Sequence, residues 1–192
     1  MTSAVNIVEN NGGFINTKEI KKQYLYRKII NAVNDGLLIR IRQGIYADEL
    51  SLANNMIDIE KIVPNGVLCL YSAFAHYELS TQIQSGYCIA IANKRKVRIP
   101  EYPPINLYYW KEDNLNFGIT TENISGYNVR ITDLERTVCD AIKYRNKIGF
   151  EVCGEVITEY LKRNNFNIAK LHEYAKKLRV DNILRRYIET RL

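Results

Sequence analysis

Arg27, Lys28 and Asn31 bring a guanidinium, an ammonium and an amide together within a few residues. Groups of these types contact guanine, phosphate and adenine, so the chemistry they suggest is the reading of duplex DNA. Further on, in GLLIRIRQGIYA, Arg40 and Arg42 fall with Leu38 on one side of a period-two alternation and Leu37, Ile39 and Ile41 on the other. That pattern predicts a half-buried strand with one apolar and one cationic face. Gln43-Gly44 then supplies a tight turn, because glycine takes positive φ at no steric cost. With Lys18, Tyr24, Tyr26, Gln43 and Tyr46, these residues form the candidate DNA-contacting set. Tyr24 and Tyr26 suit either packing on backbone sugars or half-burial.

A second cluster, Asp133, Glu135 and Asp140, has the residue types of a metal-binding carboxylate site. A simpler reading accounts for all three. Thr132 and Glu135 make the T-x-x-E capping box, Asp133 favours the positive end of a helix, and Arg136 and Asp140 pair at i,i+4. The four cysteines, Cys69, Cys88, Cys139 and Cys153, sit among apolar neighbours without a CxxC pair. They read as buried reduced thiols. His76 and His172 are the only histidines, and no zinc-ligand spacing emerges. Nor does His172 have an evident nucleophile or orienting partner. Phosphate-cradling, nucleophile-elbow and metalloprotease motifs are absent. The expectation is a non-enzyme with no cofactor and no metal.

The elements needed to position the basic residues follow from periodicity. Leu25, Ile29, Ala32 and Val33 form one apolar stripe along a helix over 24–35, which Gly36 ends. Thr17 caps a short helix in KEIKKQ, GGFI supplies a short strand, and Val5 and Val8 mark a first helix. Helix, strand, helix, helix and hairpin is the order of a winged helix-turn-helix, with Arg40 and Arg42 on the wing. Residues 1–47 hold seven Lys/Arg against three Asp/Glu. Residues 48–62 turn acidic and read as a connecting segment. A second domain, 63–192, follows. It has strands in GVLCLYS, GYCIAIANKRKVRI, INLYYW and YNVRIT, a helix in SAFAHYELS with Ser72 as a possible cap, a helix in TDLERTVCDAIKY, and three further helices. Lys94, Arg95, Lys96 and Arg98, with Arg185 and Arg186 near the C-terminus, form either a second nucleic-acid surface or solvated charge. The expected fold class is α+β, divided at residues 62 and 63.

At 192 residues and a net charge of +6, the chain fits one or two domains with a lean toward a polyanionic partner. Its start lacks a secretory pattern, and no apolar run approaches the roughly 20 residues that span a bilayer. A cytoplasmic protein without a membrane partner is expected.

Three stretches, in this order, resemble the AbiEi-family antitoxins, transcriptional regulators of bacterial type IV toxin–antitoxin and abortive-infection systems. Gly36, Leu38, Arg40, Gly44 and Tyr46 match the family's G-x-L…R-x-x-x-G-x-Y pattern. YSAFAHYEL looks like the segment that opens its C-terminal domain. Glu135, Arg136, Thr137 and Asp140 match its E-R-T-x-x-D element. The resemblance implies an N-terminal domain that binds promoter inverted repeats and represses its own operon, with a possible dimer on DNA. It also implies a C-terminal domain that neutralises a neighbouring nucleotidyltransferase toxin without a stable complex. The chain departs from the family before the second helix, where KKQYLYRK has no glycine, and the start of the recognition helix is left open. Two alternatives stand beside this reading: a winged-helix module that contacts protein, and a nucleic-acid-processing enzyme using the C-terminal carboxylates.

Overall fold

A computed structural model describes residues 4–9, 14–20, 22–48, 59–82, 85–99, 104–124 and 126–189. Most of the expected acidic connection, residues 49–58, and most of the proline-rich PEYPP lie outside the described residues. Among the described residues the architecture is mixed α+β, with a three-stranded and a five-stranded sheet. The chain forms two compact units. One comprises residues 1–65 with the segments 96–105 and 122–129, and the other holds the remainder.

The first unit opens with α1 (Ala4–Glu9), β1 (Phe14–Asn16) and a 3-10 turn over Thr17–Glu19. The helix expected in KEIKKQ is reduced to that turn, since Ile20 and Lys22 are extended, and Asn16, not Thr17, caps it: its side chain accepts from the Lys18 N–H. Thr17 is instead tied to the hairpin described below. Helix α2 spans Gln23–Asn34 and ends as glycine permits. Gly36 takes φ +73°, the Leu37 N–H reaches back to the Ala32 carbonyl, and the Gly36 N–H bonds the Val33 carbonyl. Strands β2 (Ile39–Arg42) and β3 (Ile45–Ala47) make the hairpin, and β3 lies centrally between β1 and β2, antiparallel to both. The core of this unit joins Val8, Ile15, Ile29, Ala32, Leu38 and Tyr46.

Here the expected alternation is corrected. Leu38 is buried and Leu37 is 58 % exposed, because both precede the strand and follow the helix cap. Within β2 the register slips between Arg40 and Arg42, so Ile41 is an extra residue, a bulge that breaks strict period two.

In the second unit, β4 (Val67–Leu68) is far shorter than its apolar run suggests. It pairs antiparallel to β5 (Tyr87–Ala92) and parallel to β8 (Tyr127–Thr132). Strands β6 (Ile105–Trp110) and β7 (Ile119–Ile124) complete the order β6-β5-β4-β8-β7, and β6, β7 and β8 each have an end assigned to the first unit. Helix α4 (Tyr71–His76) starts one residue before the expected Ser72 cap, and is preceded by the short α3 (Ile59–Ile62) of the first unit. The Ser72 hydroxyl accepts instead from the Cys88 N–H of β5. After α5 (Glu112–Leu115), helices α6 (Leu134–Lys143), α7 (Arg145–Ile148), α8 (Phe150–Leu161), α9 (Ile168–Lys177) and α10 (Asp181–Glu189) follow. The four cysteines are buried thiols. Apolar side chains from α4, α6, α8, α9 and α10 share one core with β4 and β5.

A carboxylate fastens the segment after α4 to α8. Glu155 accepts from the Ser80 hydroxyl at 2.7 Å, the Thr81 N–H at 2.8 Å and the Thr81 hydroxyl at 2.9 Å. The Thr81 N–H and the hydroxyls hold Glu155 below the usual carboxylate range, against a smaller opposing effect of burial. A depressed folded pKa means stability present above the unfolded value and lost as pH falls through the folded one. Glu155→Gln should therefore cost about 1 kcal/mol near neutral pH, a hydrogen-bond contribution reduced for solvent exposure. The gap from wild type should close as the pH drops below about 4. Urea melts across that range check it, and a gap independent of pH would refute the charge-based account.

Candidate nucleic-acid interface

Helix α2 separates its residues by face. Ile29 and Ala32 are buried, while Tyr24, Arg27, Asn31 and Asn34 recur at helical spacing on the opposite side and are exposed. Lys28 lies half-buried on this face, its Nζ 6.0 Å from the centre of the Tyr24 ring. Tyr24 is 56 % and Tyr26 44 % exposed, so neither belongs to the core. Among the helix's 12 residues there is no carboxylate. Lys22, at the N-cap, supplies no side-chain cap to the first turn.

The hairpin is attached to the segment that leads into this helix. The Gly44 carbonyl accepts from the Thr17 N–H at 2.7 Å and from the Thr17 hydroxyl at 3.2 Å. Gly44 itself sits at φ +83°, and a Cβ there would come within 2.9 Å of the Thr17 hydroxyl. That tie brings the neighbours of both residues, the exposed Gln43 and Lys18, to the same end of the unit. Arg40 is exposed on β2, whereas the Arg42 side chain lies outside the described residues.

Tyr46 is corrected: it is 4 % exposed and part of the core rather than of the exposed set. It stands on the central strand, opposite Ile15 on one side and Arg40 on the other. Burial raises its phenol pKa, the nearby Arg40 charge opposes the rise, and Tyr26 adds to it.

The second basic set is divided between the two units. Lys94 and Arg95 belong to the second unit, and Lys96 and Arg98 to the first. Arg185 and Arg186 are exposed on α10, and Arg185 pairs with Asp181 at 3.0 Å, one turn away.

The carboxylates near α6 are all engaged. Asp133 is the N-cap and accepts from the Arg136 N–H, so it replaces Thr132 in the role the capping box gave that residue. The Thr132 hydroxyl bonds Thr137 instead, at 2.8 Å. Glu135 takes the Tyr160 hydroxyl and, with Asp133, the ammonium of Lys170 at 3.0 Å each. Asp140 holds the Arg136 guanidinium as expected, but in a setting the sequence did not suggest: both side chains are fully buried. Burial pushes the Asp140 carboxyl up to about 6, against the pull of Arg136.

His172 does have an orienting partner. Its Nδ1 lies 2.6 Å from Asp181 Oδ1, and the bond holds Asp181 below the usual carboxylate range. The two residues are nine apart on different helices, a separation that no local motif announces. Among the described residues no cluster of three or more His, Cys, Asp and Glu could hold a metal ion, and no helix is long and apolar enough to cross a membrane.

The sequence matches no family model and no curated protein. In fold, the chain is similar to the crystal structure of the RV2827C protein from Mycobacterium tuberculosis, with a TM-score of 0.59 at 10% identity over 91% of this chain and 69% of that one.

Proposed function

We propose that residues 1–47 form a winged helix-turn-helix that binds duplex DNA, with α2 as the recognition helix and the β2–β3 hairpin as the wing. One observation carries this reading: the outward face of α2 presents Arg27, Lys28 and Asn31 with no carboxylate in the helix. Exposed Arg40, Gln43 and Lys18 add donors for phosphate beside it. Such a module reads bases from the helix in the major groove and fixes its register through the wing. The resemblance in sequence to the AbiEi antitoxins extends the proposal: a repressor of its own operon, binding inverted repeats, whose second unit opposes a neighbouring nucleotidyltransferase toxin. Growth rescue by this chain, when the neighbouring gene is expressed, tests that second half separately.

Fluorescence anisotropy on the DNA upstream of the gene, against a scrambled duplex and across a salt series, tests the first. Specific binding that weakens steeply with salt is expected. Arg40→Ala should lower affinity for both duplexes and flatten the log–log salt slope by about one unit. Arg27→Ala and Asn31→Ala should instead shrink the preference for the upstream sequence, by about 1–3 kcal/mol for each side chain that pairs bidentately with a base. Equal, salt-insensitive signals from wild type and variants would overturn the proposal. A second reading, a protein-contacting module, rests on the exposed rings of Tyr24 and Tyr26 together with exposed Leu37. Equal signals of that kind would favour it.

A further inference from the structure

In the second unit a cleft of about 610 Å³ is walled by Lys111, Lys143, Lys177 and Arg179, with Asp113 and Phe117 among its other lining residues. These cations come from four places in the chain: the residue before α5, the end of α6, the end of α9 and the turn that follows it. Lys177 is paired with Glu173 at 2.7 Å. Among the described residues, Lys111, Lys143 and Arg179 have no ion-pair partner.

Arg179 occupies a costly seat. Helix α9 closes with the Val180 N–H on the Ala175 carbonyl and the Arg179 N–H on the Lys176 carbonyl, a motif whose left-handed position glycine normally fills. Arg179 holds that position at φ +60°. A long cationic side chain is thus kept at the cleft where local backbone energetics favour none. Lys143 is crowded as well. Burial, with the Arg136 and Lys111 charges, lowers its pKa, and only Asp140 opposes them. Behind the wall, the Arg136 guanidinium donates to the carbonyls of Asn114 and Phe117, and its second terminal nitrogen has no partner among the described residues. Converging like charges of this kind are relieved by a bound anion.

We propose that this cleft binds a small polyphosphate anion of nucleotide size. Its volume lies within the range of small-molecule pockets and exceeds what a lone phosphate needs. The Phe117 ring is already packed by the Arg136 guanidinium at 4.3 Å and by the Lys177 ammonium at 5.2 Å. Base stacking on that ring is therefore not on offer, and recognition rests on the phosphates rather than on the identity of a base.

Isothermal titration of the full chain with tripolyphosphate, and in parallel with ATP, at near-physiological salt tests this. The variants are Arg179→Gly, Lys143→Gln and, as a charge-matched control outside the cleft, Lys162→Gln. Saturable binding of both probes is expected, weakened at least about tenfold in Arg179→Gly and Lys143→Gln and unchanged in Lys162→Gln. Arg179→Gly should keep or raise Tm, since glycine suits the left-handed seat, so its loss of binding cannot be ascribed to unfolding. Absence of saturable binding, or equal weakening in all variants, overturns the proposal. So does a cleft variant that loses affinity for a short duplex while tripolyphosphate leaves wild type unaffected.

Discussion

Asp140→Ala should destabilise the protein by about 3–5 kcal/mol, the penalty for stranding a buried charge. Both atoms of the Asp140 carboxylate accept from Arg136 Nε, at 3.0 and 3.1 Å, in a site with no exposure on either side. The guanidinium lies 4.7 Å from the Trp110 ring centre and 4.3 Å from that of Phe117, and it donates to two main-chain carbonyls. Removing the carboxylate leaves this cation buried with no carboxylate bonded to its guanidinium. Arg136→Met should cost less, because Asp140 can then take up a proton, which burial already favours. Arg136→Met with Asp140→Leu removes both charges and should fall within about 1–2 kcal/mol of wild type. Denaturant melts of the three variants form a double-mutant cycle. Additive losses would show that the two groups do not act as a pair. The pH dependence has a definite sign. A carboxyl raised to about 6 in the folded state contributes stability that is present below its unfolded value near 4 and lost as pH rises through about 6. The stability of wild type relative to the double variant should therefore decline between about pH 4 and 6 and level off above.

That pair marks how far the sequence can be read. The i,i+4 spacing of Arg136 and Asp140 was legible, but its burial was not. The spacing predicted a pair across one turn of α6 and gave no sign that residues 135–142 are all buried. The helix runs through the middle of its unit, touched by α7, α8, α9 and α10, and its polar side is covered by partners far away in the chain. Tertiary packing decided this, and no local pattern encodes it. The same limit explains Tyr46, which stood in the candidate DNA-contacting set. Being on the middle strand of three buries it. Capping was misassigned by one residue at two sites, Thr17 for Asn16 and Thr132 for Asp133, because Thr, Asn and Asp are all good N-caps and adjacent candidates compete. By contrast, the α2 stripe, the Gly36 stop and the Gly44 turn were readable. Each depends on interactions within a few residues or on a backbone conformation that glycine adopts with least strain. The cationic cleft left no sequence signal: its lysines and Arg179 are scattered over residues 111–179.

Gly118→Ala should be the other severe substitution. Gly118 precedes β7 at φ +63°, and its carbonyl accepts from the N–H of Asp133, the α6 cap. An added Cβ would lie 2.7 Å from Arg136 Cβ, 3.0 Å from Arg136 Cγ and 3.1 Å from a Tyr174 ring carbon. Approaches this short force movement. Arg136 is poorly able to move: its far end is held by Asp140 and by two carbonyls, and its near end is part of a buried helix. Tyr174 is held by its hydroxyl on Asp133. The expected loss is about 2–4 kcal/mol, overpacking plus left-handed strain less the entropy gained from the unfolded chain. Gly126→Ala separates these contributions, because Gly126 has φ +87° and open space where its Cβ would stand. It should lose only about 1 kcal/mol from backbone strain. Arg136→Met retains the Cβ and Cγ that clash but frees the side chain from its charged anchors. The Gly118→Ala loss measured in that background should shrink by about 1 kcal/mol as the methionine yields. If Gly118→Ala costs no more than Gly126→Ala, the close approach to Arg136 does not constrain the fold. If the loss is unchanged by Arg136→Met, the anchoring of Arg136 is not what makes that approach rigid.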